Sequence, residues 1–296
     1  MQVTVLGAGA GGGLPQWNCG CRNCSDARDG IIPQMTQSSV GVSVDGKDWV
    51  VLNASPDIRS QMADSIAMRP RGVRHTPMRA VVLTNGDIDH IAGLLTLREK
   101  TAFTVFATSE TASVLEDSPV FGVLDRELVS FAPVVLGQEF SPLPGLEVLP
   151  FAVPGKVPLF MEGDDLDLKA MGEQTIGLRL TALGRVMYYI PGCAEIPDWL
   201  LDKLADADLL LFDGTVWMDD EMQRTGTGKK SGGRMGHISM TGSEGSLSRF
   251  AGLDGCRKVF IHINNTNPVL QPDGPERAEV QAAGWTVAQD GMRIAV

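Results

Sequence analysis

The sequence lacks any run of about 20 apolar residues, the length that a helix needs to cross a bilayer. At its start, residues 1–7 have no basic stretch or cleavage site and are typical of a strand, so we expect no targeting segment and a cytoplasmic protein. Positive charge is also scarce, because 25 Lys and Arg stand against 36 Asp and Glu, for a net charge of −11. Nucleic acids and membranes are therefore not expected as partners.

Cysteine is rare as well, with five residues, and three of them cluster too tightly for a disulfide framework, at Cys19, Cys21 and Cys24. In a reducing compartment, thiolates at C-x-C-x-x-C spacing indicate a metal ion, and soft sulfur ligands suit zinc. The other interpretation of the cluster is three free, partly buried thiols.

A zinc ion held by three cysteines needs a fourth ligand. The chain has only four histidines, and His237, within Gly236-His237-Ile238-Ser239, is the best candidate among them. A closed site of three cysteines and His237 would be structural. It would attach an N-terminal zinc-binding loop, residues 7–37, to a glycine-rich basic loop, residues 218–237.

The glycine run of residues 7–13 follows the first predicted strand, as a dinucleotide-binding loop would. That function requires a helix to open at the glycines, so that its N-terminus holds the pyrophosphate. Here the sequence continues Leu14-Pro15-Gln16-Trp17-Asn18, which is not a helix start. The run therefore indicates a turn that lets the backbone approach a ligand or another strand.

The hydrophobic fraction of 43% supports a sizeable core, and no linker, repeat or low-complexity tract divides the chain, so we expect one domain over residues 1–296. Apolar runs predict strands at residues 3–6, 40–44, 49–53, 79–83, 103–107, 146–153, 175–183, 186–190, 209–212 and 259–263, with two short strands at the end. Helices are predicted at residues 57–66, 91–100, 197–205, 241–251 and 275–283, with another of about eight residues capped by Ser109. This order predicts an α/β fold with two mixed sheets packed face to face and helices outside.

Potential metal ligands directly follow three of the predicted strands. Asp89 and His90 come after one strand, Asp213 after a second and His262 after a third. Because strand ends at one edge of a sheet hold side chains rigidly, we expect these four residues to meet. Two histidines with a carboxylate suit a divalent transition metal, and this is the ligand set of mononuclear non-haem iron oxygenases. Taken singly, each residue has an ordinary structural interpretation.

Two further features remain open at the level of sequence. Asp57, in Asn53-Ala54-Ser55-Pro56-Asp57, is either a carboxylate that orients a ligand histidine or a turn and cap residue. The basic segment from Arg224 to Arg234 is either a solvated loop or a lid that brings a small polyanion to the metal.

Together these residues resemble the metallo-β-lactamase superfamily. The resemblance extends over nearly the whole chain and rests on the motifs at residues 7–19, 53–57, 84–90, 212–215, 236–239 and 262–268. It implies a four-layer αββα sandwich with the site at one edge of the two sheets. The Cys₃His zinc of one phosphodiesterase branch would correspond to Cys19, Cys21, Cys24 and His237.

The loop from Thr84 to Gly93 has the outline of the superfamily motif T-H-x-H-x-D-H-x-x-G, with Asn85 and Asp87 in place of two histidines. The third histidine of the same metal is missing near Pro154. The resemblance therefore implies that the first of two metals is lost. The second would retain Asp89, His90, Asp213 and His262, which are all present.

Within the superfamily, the chain resembles the family that acts in the synthesis of pyrroloquinoline quinone (PQQ). That resemblance implies an Fe²⁺-dependent hydroxylase that uses O₂ on the tyrosine ring of a cross-linked Glu–Tyr intermediate, a small acidic substrate derived from amino acids. Asp89, His90 and His262 would hold the iron, with Asp213 as a fourth ligand or a nearby base. Asp87 would orient the phenol or accept its proton.

Two other functions stay open. A metallohydrolase acting on phosphodiester or ester bonds has the fold in its favour, but efficient hydrolysis there commonly uses two metal ions. A carrier of PQQ without enzymatic activity would need the basic loop but no redox metal. The sequence also leaves open a homodimer.

Overall fold

The computed structural model describes residues 1–163 and 167–296. Seven strands form the first sheet, in the order β14-β1-β2-β3-β4-β5-β6. They are β1 (Gln2–Gly7), β2 (Ser39–Ser43), β3 (Trp49–Leu52), β4 (Met78–Val82), β5 (Phe103–Ala107), β6 (Val129–Pro133) and β14 (Arg293–Ala295). Strands β3 to β6 pair in parallel, whereas β14, β1, β2 and β3 pair antiparallel. The sheet is therefore mixed.

A second mixed sheet has the order β13-β12-β11-β10-β9-β8-β7. Its strands are β7 (Phe140–Leu143), β8 (Leu146–Ala152), β9 (Ile176–Ala182), β10 (Arg185–Ile190), β11 (Leu209–Asp213), β12 (Arg257–Ile261) and β13 (Trp285–Val287). Strands β10 to β13 pair in parallel, and β7 to β10 pair antiparallel.

Alternation along the strands explains how the layers form. On β3, Val50 and Leu52 belong to the core that the two sheets share, whereas Trp49 and Val51 pack in a second cluster with the helices outside the first sheet. Successive side chains of a strand point to opposite faces, so a strand buried on both faces is apolar throughout. The predicted two-sheet arrangement with outer helices is confirmed.

The helices are short. They are α1 (Arg22–Arg28), α2 (Ile58–Asp64), α3 (Ile88–Ile91), α4 (Ser109–Glu116), α5 (Asp198–Lys203), α6 (Glu221–Arg224), α7 (Gly232–Met235), α8 (Ser246–Arg249) and α9 (Pro275–Ala282). Within the described ranges, no helix combines the length and the apolar character that crossing a membrane requires.

The predicted elements mostly match, and the differences have local causes. The helix expected at residues 91–100 is α3 followed by a 3₁₀ turn, Ala92–Leu95. Gly93 lies so close to the preceding loop that an added Cβ would be 2.1 Å from the carbonyl oxygen of Ser55. The helix expected at 241–251 is only α8, because Gly245 caps it. Thr108, rather than Ser109, caps α4, since its hydroxyl accepts a hydrogen bond from the backbone of Thr111.

Candidate metal centre

The predicted ligands meet at one edge of the two sheets. Strands β11 and β12 pair in parallel with Asp213 opposite Ile261, so that His262 directly follows the end of β12. The loop after β4 reaches the same edge, because the carbonyl of Thr84 accepts a hydrogen bond from the first residue of β9, Ile176. The backbones of Ala54 and His90 are also hydrogen-bonded, at 2.7 Å. Strand register and loop contacts together bring Asp213, His262 and His90 to one place.

Asp89, His90 and His262 form the first group of potential ligands, with one ligand atom of each within 4.8 Å of the others. Nε2 of His262 lies 3.0 Å and Nε2 of His90 lies 3.9 Å from Oδ2 of Asp89. His90 is buried, and its Nε2 has no hydrogen-bond partner among the described residues. Since buried polar atoms are nearly always paired, this nitrogen fits a metal ligand. Two imidazoles and one carboxylate suit a divalent transition metal.

The other nitrogen of each histidine is held by the protein. Oδ1 of Asn85 lies 2.6 Å from Nδ1 of His90 and also accepts a hydrogen bond from the backbone N–H of Asp87. An oxygen that accepts from a backbone N–H is an acceptor for the ring as well, so Nδ1 of His90 carries the proton. Its Nε2 therefore presents a lone pair towards Asp89.

Thr215 orients the ring of His262 in a similar way. Its hydroxyl lies 2.7 Å from Oδ1 of Asp213 and 2.8 Å from Nδ1 of His262. The carboxylate of Asp213 and the backbone carbonyl of His262, which lies 3.0 Å away, can only accept. The hydroxyl proton goes to the closer, charged carboxylate, so the hydroxyl accepts from the ring. Nε2 of His262 then faces Oδ2 of Asp89, where both atoms could bind one metal ion.

Asp213 is fully buried, and its carboxylate accepts from four groups: the backbone N–H groups of Cys193 and Thr215, the Thr215 hydroxyl and Nδ1 of His237. The distance to His237 is 2.7 Å. The carboxylate thus orients His237 directly and His262 through Thr215. A direct bond from Asp213 to a metal stays a prediction.

The structure does not place His237 beside the cysteines as predicted. A ring nitrogen of His237 groups with a carboxylate oxygen of Asp213 and a ring nitrogen of His262, and no histidine joins the cysteine group among the described residues. Helix α7 ends at Gly236, whose φ of 88° turns the chain, and the N–H of Ile238 bonds to the carbonyl of Cys193. These contacts bring His237 to the metal edge, where its ring stacks on His262 with centroids 5.1 Å apart.

Cys19, Cys21 and Cys24 do form one group, with their sulfur atoms within 4.8 Å of one another. The fourth partner is Asn265, whose Nδ2 lies 3.3, 3.7 and 3.2 Å from the three sulfurs in that order. A carboxamide presents an oxygen and a nitrogen of similar shape, so it can donate to thiolates or coordinate zinc through Oδ1. A flip of the amide would bring Oδ1 to the place that Nδ2 now occupies, and three thiols with this oxygen would then fit a closed zinc site.

Burial and charge set the protonation of the metal edge. Burial lowers the pKa of His90 to about 4, which keeps the ring neutral at physiological pH. Burial alone would lower the pKa of His262, but the contact with Asp89 raises it above its ordinary value. Burial alone would raise the pKa of Asp213, yet the neighbouring histidines hold it below its ordinary value. Burial and the charge of Asp89 raise the pKa of Asp87.

A cavity of about 250 Å³ opens over these ligands. Its wall includes Asp87 and His237 and also Lys156, Lys230 and Glu162, of which the sequence reasoning had missed Lys156 and Glu162. Neither belongs to a recognisable motif, so no sequence signal could have identified them. A space of this size accepts part of a small molecule rather than a polymer.

Asp57 does not orient a ligand histidine. Its Oδ2 accepts hydrogen bonds from the backbone and the side chain of Gln37, at 2.9 and 3.0 Å. Its carboxylate therefore stabilises the N-terminal loop beside α2, which leaves the orientation of the histidines to Asn85, Thr215 and Asp213.

Two seven-stranded mixed sheets with outer helices and an Asp–His cluster at their common edge define a metallo-β-lactamase-type protein. The family model described as "Beta-lactamase superfamily domain" matches residues 48–263. Within this superfamily, the chain belongs to the coenzyme PQQ synthesis protein B family. It is 57% identical to that protein of Ruegeria pomeroyi, over 99% of both chains, and 55% identical to that of Rhizobium meliloti, over 99% of this chain and 97% of the relative.

Two solved structures superpose on this fold. The Zn²⁺-bound PqqB of Methylobacterium extorquens superposes with a TM-score of 0.98 at 51% identity, and all of both chains is covered. A diphosphatase of the PhnP family superposes with a TM-score of 0.70 at 23% identity, over 99% of this chain and 96% of the other, which shows the shared fold alone.

Proposed function

We propose that the protein acts in PQQ synthesis as an Fe²⁺-dependent hydroxylase of the tyrosine ring in a cross-linked Glu–Tyr intermediate. The observation that carries the proposal is the group of Asp89, His90 and His262 at one side of a small cavity. The first-metal position at Asn85 holds an amide that orients His90 instead of a ligand. This arrangement favours one metal ion with two histidines and one carboxylate.

When bound, Fe²⁺ would supply the redox chemistry that O₂ activation requires, and Asp89, His90 and His262 would hold it. The protein supplies orientation. Oδ1 of Asp87 accepts from the backbone of Leu159, at 3.2 Å, and its other oxygen can accept a hydrogen bond from the phenol. His237 lines the same cavity with Nδ1 held by Asp213, so its Nε2 can move a proton to or from the ring.

The cysteine group has a structural role in this proposal. Cys19, Cys21 and Cys24 hold Zn²⁺, with Asn265 completing the site. Asn265 follows His262 closely on the same loop, and its carbonyl accepts a hydrogen bond from Asn23, in α1. Zinc would therefore stabilise the loop that presents His262.

The experiment is reconstitution with a single metal. Protein purified without O₂ is loaded with Fe²⁺ or Zn²⁺ and given a tyrosine-derived substrate, ascorbate and ¹⁸O₂. We expect incorporation of labelled oxygen into the ring with iron and none with zinc, by mass spectrometry. Full activity with zinc alone would contradict the proposal.

A two-metal hydrolase is the second candidate, because Asp213, His237 and His262 form another group of potential ligands. Against it, Nδ1 of His237 and the carboxylate of Asp213 bond to each other at 2.7 Å. Metal analysis decides between them. Two ions at the edge in addition to the cysteine site would favour hydrolysis, and one would favour the hydroxylase.

A further inference from the structure

Three cations surround one carboxylate beside the metal cavity. Nζ of Lys156 lies 3.0 Å from Oε1 of Glu162, and Nη2 of Arg234 lies 3.0 Å from Oε2. Nζ of Lys230 lies 3.4 Å from the same Oε2. We refer to Lys156, Lys230 and Arg234 as the cation cluster.

The cluster differs from an ordinary surface ion pair. The side chains of Lys156 and Glu162 are only 9% and 10% exposed, and among the described residues three cations contact this one carboxylate. Burial alone would raise the pKa of Glu162, but Lys156 and Arg234 lower it to about 2. The carboxylate is thus ionised at neutral pH, and within the described ranges the three cations of the cluster outnumber it.

Two of the three cations belong to the wall of the metal cavity, and Arg234 contacts that wall through Glu162. Lys156, Lys230 and Glu162 line the same cavity as Asp89 and His262. The stem of Lys156 packs on the turn before His237, since an added Cβ on Gly236 would lie 3.1 Å from Cγ of Lys156. A small molecule at the metal would therefore reach the cluster.

We propose that the cation cluster binds a carboxylate of the substrate, and that Glu162 occupies this position until the substrate displaces it. The proposal rests on the proposed function in one respect, since it takes the substrate to be a small polycarboxylate. It adds Lys156, Lys230 and Arg234 as specificity-determining residues and Glu162 as an internal competitor.

The geometry favours a carboxylate that binds better than Glu162 does. Glu162 contacts Arg234 through Nη2, whereas the buried Nη1 has no hydrogen-bond acceptor among the described residues. A guanidinium binds a carboxylate most strongly when both of its N–H arms are used. A substrate carboxylate engaging both arms would offset the loss of the Glu162 contact. Competition from Glu162 lowers the apparent affinity by the fraction of molecules in which the site is open.

The test is calorimetry on the Zn²⁺-loaded protein with benzene-1,3,5-tricarboxylate as the probe and the corresponding tricarboxamide as a neutral control. In Glu162→Gln we expect about tenfold tighter binding of the tricarboxylate, because the competitor has lost its charge. In Lys156→Met and Arg234→Gln we expect about tenfold weaker binding. The tricarboxamide should bind none of these proteins measurably.

Asp167→Asn is the matched control, because it removes one negative charge from an exposed position five residues beyond Glu162 without touching the cluster. Its affinity for the probe should equal that of the wild type. Thermal unfolding confirms that each variant is folded, and Arg234→Lys replaces Arg234→Gln if the latter is not.

Two results would overturn the inference: unchanged or weaker binding in Glu162→Gln, or unchanged binding in both cation variants. Neither requires iron or O₂. If hydroxylation is not observed, the carboxylate site is not contradicted. If hydroxylation is observed but probe binding is unchanged in the variants, only the carboxylate site is refuted.

Discussion

The side-chain oxygen of Asn85 lies 2.6 Å from Nδ1 of His90. This contact gives Asn85 a structural role. From the superfamily motif alone, Asn85 is only the residue that stands in place of a metal-binding histidine. Asn85 holds the proton on Nδ1 and thereby turns the lone pair of Nε2 towards Asp89 and His262. The residue that stands at a histidine position of the superfamily motif thus orients a candidate ligand of the remaining metal position.

Replacement of Asn85 should weaken metal binding at the edge without removing a ligand. For Asn85→Leu we expect a loss of about 10–100-fold in affinity, the usual effect of removing a group that orients a ligand histidine. Asn85→Asp keeps an oxygen acceptor at the same place and should stay much closer to the wild type. Competition with a chelator measures both, and equal losses in the two variants would contradict this role.

His237 should be needed for turnover but not for the metal. In His237→Gln we expect kcat to fall by about 10²–10⁴, as for the loss of a group that transfers a proton, with iron content unchanged. Steady-state O₂ consumption and metal analysis are measured on the same sample. If iron content falls with activity, His237 is a ligand and the second group of Asp213, His237 and His262 holds a metal.

Asn265 should control how firmly the cysteine group holds zinc. Asn265→Leu removes the fourth partner and should accelerate zinc release to a chromogenic chelator by about 10-fold or more. Asn265→Asp supplies a charged oxygen, which zinc accepts as a ligand, and should slow the release. Equal rates in all three proteins would show that three cysteines bind alone. The count of metal at the edge serves as the internal control, since it should stay at its wild-type value.

Glu221 should make stability depend on pH. It is buried, its carboxylate accepts from the backbone N–H of Trp217 at 2.6 Å, and burial raises its pKa from 4.5 to about 7. Between these values the folded state holds a proton that the unfolded state has lost. The stabilising contribution of the neutral acid is therefore complete below about pH 4.5 and lost as the pH rises through about 7.

The comparison is with Glu221→Gln, which does not titrate. Its stability relative to the wild type should increase by roughly 2–3 kcal/mol between about pH 5 and about pH 8, by urea unfolding. Glu279→Gln, at an exposed position on α9, is the control and should show no such trend. A constant difference between Glu221→Gln and the wild type would mean that Glu221 is ionised in the folded protein.

Much of the fold follows from local pattern. Strands buried on both faces read as apolar runs, and most were predicted within a residue or two. Strands β6 and β7 were missed. Most residues of Val129–Pro133 and Phe140–Leu143 are exposed or partly exposed, so these segments form no clear apolar run or alternation. The short helices α7 and α8 depend on glycine turns and backbone contacts, which periodicity does not report.

The sequence by itself determined the ligand types, the two-sheet architecture and the meeting of Asp89, His90 and His262, because ligands that follow buried strands are carried to a common edge. Only the tertiary structure decided the partner of His237 and the fourth contact of the cysteines, since both depend on how distant loops cross. The pairing of Lys156 with Glu162 was decided in the same way. A charged side chain on a loop takes its partner from three-dimensional proximity, and no local pattern encodes that.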